Sequence, residues 1–304
     1  MCEYGFIDKY IDTLGCELAV CISVIGYATA NKSKIACRIV SNYLIYLSNS
    51  KDISFIFDGK HENNPPACDF KFDEQWFLKN NPQVQQEVIS FIEKIREYIF
   101  KISINIGIPL CLVMFKELQE CVGSYIYSKL SSKSDFISES SDYIFNIHTS
   151  NSLNDFKSLP TCSETSSFSR PPEDIKAYNN TCKSSLSYKN NSTSVSSYSS
   201  FQNTRLEFGL RYFEQVYGTV KDKLLNSIHS FHPNLDYVIL ANGYGDILSS
   251  GSLLTPSEIE IALITSITLI NTPVQLHSHI RGALRVGTPK QIVDSAKTCL
   301  NSDT

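Results

Sequence analysis

The chain has 304 residues, is 42% hydrophobic and 19% charged, and carries a formal net charge of −4. That is enough apolar material for one large or two modest domains. The slight acidity argues against non-specific binding to nucleic acid or an anionic membrane, and the longest apolar runs are short or carry a lysine, which argues against a membrane span.

The N-terminal stretch MCEYGFIDKYID holds acidic residues and no arginine, so it reads as neither a signal peptide nor a transit peptide. The expectation is a cytoplasmic protein, with no address visible for mitochondrial import. Apolar periodicity predicts helices over about 5–29, 32–48, 82–103 and 107–126. Segment 50–60, KDISFIFDGKH, suits a short strand or an irregular turn, and HENNPPACDF after it is loop by composition. The ten cysteines form no C-x-x-C pair, and most lie in apolar stretches such as those around Cys16, Cys21, Cys37, Cys111 and Cys121. They read as buried, reduced thiols rather than a disulfide framework or a zinc site.

From about 131 to 200 the sequence turns to SSKSDFISESSD, SETSSFSRPPED and NNSTSVSSYSS. So serine-rich a segment buries too little surface to offset the entropy of ordering it, and it reads as a disordered linker. The chain therefore divides into an N-terminal helical part, 1–128, a linker, 129–204, and a C-terminal helical part, 205–304. In the last part RLEFGLRYFEQVYG and KDKLLNSIHSFHP predict two helices, and DYVILANGYGDIL a third, interrupted near Gly243 and Gly245. Three further helices open with TPSE, TPVQ and TPKQ, at Thr255, Thr272 and Thr288. Each puts threonine at the N-cap, proline at the first helical position and Glu or Gln two residues on, the capping-box pattern. The fold class is all-α.

The stretch TPVQLHSHIRGALRVGTP holds the candidate chemistry. On a helix, Leu276, Ile280, Ala283 and Leu284 make the apolar stripe, while His277 and His279 fall on opposite flanks. Histidines two residues apart do not face one ion on a helix, so no metal is expected. The preceding helix lines up Glu260 with Leu263, Ile264 and Ile267, which leans its carboxylate toward the core. Only Asn271 and Thr272 separate the two helices, so an antiparallel hairpin can bring Glu260 to His279 or Arg281. A structural Glu–His or Glu–Arg staple and an acid–base pair at a pocket wall both satisfy this pattern, and the staple is the commoner case.

The runs GLRYFEQVYG, NGYGDILSSGSLLTPSEIEIALITSI and QLHSHIRGALRVGTP resemble the carboxymuconolactone decarboxylase-like, or alkylhydroperoxidase D-like, family over about 205–298. The resemblance implies that Glu260 matches the family's helical glutamate, His279 its histidine, and Arg281-Gly282-Ala283-Leu284 the residues that follow. ELAVCISVIGY from Glu17 resembles a worn copy of EIALITSITLI from Glu260, with Arg38 opposite Arg281 and Ala36 in place of His279. Gly107-Ile108-Pro109 resembles the family's Gly-x-Pro helix start, which the C-terminal copy is expected to lack. The family implies an all-α fold of two divergent repeats, and a homo-oligomer or an internal pseudo-dimer. Its decarboxylase branch implies a cofactor-independent, lyase-type enzyme on a small organic acid, with His279 as acid/base, Glu260 as its orienter and Arg281 as the substrate carboxylate's anchor. A non-catalytic oligomerisation or binding module of the same fold is the alternative. The family's peroxiredoxin-like peroxidase branch needs a C-x-x-C before the histidine, and TPVQLHSH has no cysteine, which disfavours thiol peroxidase chemistry there.

Overall fold

A computed structural model describes residues 5–49, 51, 72–131, 197–251 and 253–298. Every regular element among the described residues is a helix. The expected strand or turn at 50–60 and most of the expected linker lie outside the described residues. The described residues up to 131 and from 201 onward belong to a single compact unit.

In chain order the helices are α1 Gly5–Leu14, α2 Cys16–Thr29, α3 Ser33–Ser48, α4 Glu74–Lys79, α5 Pro82–Val122 and α6 Ser124–Tyr127. Then follow α7 Ser197–Tyr217, a 3₁₀ turn at Gly218–Val220, α8 Lys221–Phe231 and the short α9 Leu235–Tyr237, which runs into a π-helical segment, Val238–Leu248. Helices α10 Pro256–Leu269, α11 Pro273–Arg285 and α12 Lys290–Ala296 complete the set.

Glycines set the helix breaks, one unforeseen at Gly15 and one at the expected junction near residue 107. Gly15, at φ 76°, splits the helix expected over 5–29 into α1 and α2. Gly107, at φ 79° and ψ 159°, breaks α5 just before Pro109. By length and composition α5 is apolar enough to cross a membrane. Ahead of the break, however, Val88, Phe91, Ile92, Ile95, Ile99 and Ile102 are all buried in the core. The glycines at 243 and 245 interrupt nothing. A Cβ on Gly245 would run into the Arg205 carbonyl oxygen, and one on Gly209 into that of Leu240, so these positions let α7 and the π-helical segment approach backbone to backbone.

Two helix hairpins and α5 make the core. Helices α2 and α10 pack on each other and on α5, with α3 and α11 as their outer partners. Nearly every side chain of α10 from Ile259 to Ile267 is buried, and α2 is buried in the same way from Ala19 to Ala28. The hairpins repeat one another with a displacement of 240 residues: α2 spans 16–29 and α10 spans 256–269. Asn31 and Asn271 both turn the corner in the left-handed region, at φ 57° and 54°. The backbone bonds match too, Lys32 N to Tyr27 O at 2.8 Å and Thr272 N to Ile267 O at 3.4 Å.

This register differs by three residues from the sequence match of Glu17 with Glu260. Apolar helical sequences slide one turn at little cost in pattern, whereas the hairpin corner fixes the register. In the structural register Val20 stands where Glu260 stands, and Ile39 where His279 stands. The C-terminal part also has its own Gly-x-Pro start, contrary to expectation. Gly287, at φ 91°, precedes Thr288-Pro289 and the entry to α12.

Of the three Thr-Pro starts, only the first is a capping box, in which Thr255 and Glu258 satisfy each other's amides. Thr272 makes no side-chain cap bond, and Thr288 instead meets the Ser257 hydroxyl at 2.8 Å.

Candidate functional site

Helix α11 turns His279 inward beside most of its apolar stripe, with Leu276 and Ile280 packed on the core. Its buried residues are His279, Gly282 and Ala283, while Leu284 is exposed. The reason lies across the hairpin. Glu260 is fully buried on α10, and a buried carboxylate is stable only where a partner meets it. His279 is that partner: its Nδ1 lies 3.0 Å from Glu260 Oε2. Gly282, one turn further along α11, leaves room for the pair, since a Cβ there would stand 3.1 Å from Glu260 Oε2 and 2.6 Å from Val216 Cγ1.

Helix α7 and the π-helical segment close the site with tyrosines. The Tyr217 ring meets the His279 ring edge-on, with centroids 6.2 Å apart. The Tyr217 and Tyr244 hydroxyls share a hydrogen bond of 3.0 Å. Tyr212 packs against Tyr244 and turns its hydroxyl toward the Glu260 carboxylate, without meeting hydrogen-bond geometry. Burial first, and the Glu260 charge after it, push the Tyr212 hydroxyl well above the usual phenol range. Burial likewise pushes up Tyr217 and Tyr244, with Glu260 adding to both.

At this site two buried oxygens, Glu260 Oε1 and the Tyr212 hydroxyl, stay without a hydrogen-bond partner among the described residues. A buried polar atom left unpaired costs about 1–3 kcal/mol, so the Tyr212 hydroxyl and Glu260, which face each other, are poised to bond to one another or to one more polar group. A neutral imidazole hydrogen-bonded through Nδ1 to a carboxylate keeps Nε2 as the proton-accepting nitrogen. The arrangement can therefore hold and move a proton at a defined atom.

The structure thus brings together Glu260 and His279 and leaves Arg281 outside. Arg281 is exposed, and no ion pair joins it to Glu260 among the described residues. Two residues from His279 on a helix, it points to the opposite side, so it does not anchor a substrate at this pair. His277 is exposed as well. The tyrosines are what sequence reasoning missed. Their signal was present in GLRYFEQVYG and NGYG, where aromatic residues cluster beside glycines that permit backbone contact. No group of three or more His, Cys, Asp or Glu residues able to hold a metal ion occurs among the described residues.

A second feature lies at the N-termini of α2 and α10. Lys94 on α5 bridges Glu17 at 2.8 Å and Glu258 at 3.0 Å. These residues, with Cys16, Cys21 and Tyr98, line a cavity of about 280 Å³. Burial opposes the charge on Lys94, but its bonds to Glu17 and Glu258 outweigh that and push its pKa up. Glu258 is held below the usual carboxylate value, because its bonds to Thr255 and Lys94 outweigh burial.

No family model matches the chain, and no solved structure matches it. The chain is similar to two curated proteins called Peroxisomal protein 2. The one from Saccharomyces cerevisiae is 28% identical over 92 residues, covering 30% of this chain and 32% of the relative. The one from Schizosaccharomyces pombe is 34% identical over 89 residues, covering 29% of this chain and 42% of the relative. The matched stretch thus spans less than half of either relative's length. Their name overturns the expectation of a cytoplasmic protein. An N-terminal leader is only one kind of address, and peroxisomal import has addresses of another kind.

Proposed function

We propose that this chain is a peroxisomal, cofactor-independent acid–base enzyme of the carboxymuconolactone decarboxylase-like superfamily, acting on a small organic acid at His279. The observation that carries the reading is the buried Glu260–His279 pair, beside a Glu260 oxygen and a Tyr212 hydroxyl that lack partners. In this reading Glu260 is a positioning residue that fixes the imidazole tautomer. His279 takes a proton from the substrate carbon, or returns one to it as its carboxylate leaves. Tyr212 offers its hydroxyl to the acid's oxygen. Arg281 has no part in it. The peroxisomal location rests on the name of the two relatives.

The test is turnover by the purified full chain across a panel of lactone, β-keto and dicarboxylic acids. Loss of general acid–base help costs about 10²–10⁴-fold, and His279→Ala should lose that much while keeping the parent's helical content and oligomeric state. Turnover equal to the parent's would overturn the reading. A fluorescent fusion of the chain should co-localise with a peroxisomal matrix marker, and a diffuse cytosolic signal would overturn the location.

A second reading, an oligomerisation module that has kept the fold without the chemistry, is favoured by a different observation. Ile108, Leu112 and Val113, beyond the break in α5, are 60%, 63% and 44% exposed. An apolar row of this kind marks a contact surface. If Ile108→Glu with Leu112→Glu splits a homo-oligomer while the panel shows no turnover by the parent, the module reading replaces the enzyme.

A further inference from the structure

Helix α7 ends at Tyr217, and its own last turn carries no basic residue. The last four carbonyls of a helix have no partner within it, and they form the negative end of its dipole. Arg285, the last residue of α11, meets them from another part of the chain. It donates through Nη1 to the Val216 carbonyl oxygen. Its side chain lies across Gly218, where a Cβ would stand 3.3 Å from Nε and 3.5 Å from Cζ. One guanidinium thus serves the C-terminal ends of two helices, its own and α7, and both favour a cation.

Val216 is the neighbour of Tyr217, whose ring meets His279 edge-on. On α11, His279, Gly282 and Arg285 follow one another at three-residue intervals, which makes them one row on the helix surface. Each member of the row meets the end of α7. His279 meets the Tyr217 ring, Gly282 faces the Val216 side chain, and Arg285 grips the Val216 carbonyl beside Gly218. Tyr217 is therefore held at both ends, by Arg285 next to its backbone and by Tyr244 at its hydroxyl, 3.0 Å away. His279 in turn is held at Nδ1 by Glu260 and at its flank by Tyr217. Arg281 faces out, so Arg285, one turn further on, is the arginine of α11 that reaches the wall of the site.

We propose that Arg285 is a positioning residue of this site: by capping α7 from α11 it holds the Tyr217 ring against His279 and so fixes the imidazole. Its effect on turnover rests on the acid–base reading of His279, whereas its placement of the ring does not. Arg285 touches no reacting atom. It acts on His279 only through Tyr217, and that order of action dictates how substitutions combine. Without the Tyr217 ring, removal of Arg285 has nothing left to transmit. A purely structural cap would instead weaken the fold by the same amount with the ring or without it.

The experiment records the histidine ring resonances of the full chain labelled in its six histidines. His279 is assigned by the signals lost in His279→Gln. Arg285→Met should move the His279 resonances by more than their line width, because the ring current of Tyr217 shifts with the ring. Arg285→Lys, which keeps the charge and most of the reach, should keep them near the parent's positions. In Tyr217→Leu, adding Arg285→Met should move them no further. Turnover on the acid panel should follow the same pattern. Arg285→Met should lower kcat about tenfold with KM little changed, and should lower it less than about twofold further in Tyr217→Leu. The proposal is overturned if Arg285→Met leaves the His279 resonances in place, or moves them equally with and without the Tyr217 ring. Where Arg285→Met fails to fold, Arg285→Gln takes its place in the same comparisons. Resonances that follow the proposal in a chain without turnover would sink the acid–base reading and leave the Arg285 clamp standing.

Discussion

Replacing Gly282 by alanine adds one methyl group within α11. That methyl would lie 2.6 Å from Val216 Cγ1, 3.4 Å from Val216 Cβ and 3.1 Å from Glu260 Oε2. Two effects oppose each other. Alanine gains about 1 kcal/mol over glycine in a helix interior. Overpacking a filled core costs about 1–3 kcal/mol, and Val216 is fully buried with a stiff, branched side chain, so it has nowhere to turn. The carboxylate oxygen bonded to His279 must also give way by a few tenths of an ångström, which strains that bond. Gly282→Ala should therefore destabilise the chain by about 1–2 kcal/mol net.

Urea unfolding reads this as a lower midpoint at unchanged slope. A double-mutant cycle then locates the cause. Val216→Ala removes the methyl that Gly282→Ala collides with, so the double variant should recover at least about 1 kcal/mol over the sum of the single effects. A Gly282→Ala chain as stable as its parent, or strict additivity in the cycle, would refute the packing argument for this glycine.

Three further outcomes follow from the same structure. Thr255→Ala should cost about 1 kcal/mol, whereas Thr272→Ala should cost far less, because only Thr255 makes the cap bonds; equal losses in thermal unfolding would refute the distinction. Lys94→Met should cost about 1–2 kcal/mol at neutral pH, since Lys94 joins two carboxylates in a partly covered site. It should also flatten both ends of the stability–pH curve. The raised Lys94 pKa gives stability present below its usual 10.5 and lost as pH rises through the folded value. The lowered Glu258 pKa gives stability present above its usual 4.5 and lost as pH falls through the folded value. An unchanged profile in Lys94→Met would refute the coupling. Tyr212→Phe should leave stability unchanged or raise it by less than about 1 kcal/mol, because it removes a buried hydroxyl that has no partner. A large loss on urea unfolding would show that the hydroxyl is bonded.

The helical class was legible because apolar residues recur at helical spacing, and the hairpin because only two residues separate two strong helical patterns. Glu260 and His279 could be paired from that hairpin and from the cost of leaving a carboxylate alone in the core. What a single helical wheel could not reveal is which edge of the apolar stripe on α11 turns inward. Judged by hydropathy, Leu284 belongs inside and His279 at the edge, yet Glu260 draws His279 inward and Leu284 is left 46% exposed. Arg281 was misjudged for the same reason, since once His279 faces inward its neighbour two residues on must face out. The register of the repeat was hidden because α2 and α10 are apolar all round. Neither sequence marks a unique face, and only the corner at Asn31 and Asn271 aligns them. The Arg285–Val216 contact joins positions 69 residues apart, which no local pattern reports.

The repeat itself supplies a test of whether the Glu260–His279 pair is a structural staple. The α2–α3 hairpin has the corner of α10–α11, but carries Val20 and Ile39 at the matching positions, 0% and 1% exposed. An apolar pair therefore suffices to pack this hairpin. The Glu–His pair instead bears the cost of desolvating a carboxylate and leaves Glu260 Oε1 unpaired. Replacing a buried polar pair by well-packed apolar residues is often neutral or stabilising, by about 1–4 kcal/mol, while removing one partner costs about 3–5 kcal/mol. The double variant Glu260→Val with His279→Ile should thus unfold at or above the parent's urea midpoint, and His279→Ile alone well below it. A double variant destabilised by more than about 2 kcal/mol would make the pair a staple that this hairpin needs. A stable double variant would leave packing unable to explain why a carboxylate and an imidazole occupy this copy alone, and would place the reason in the proton they can move.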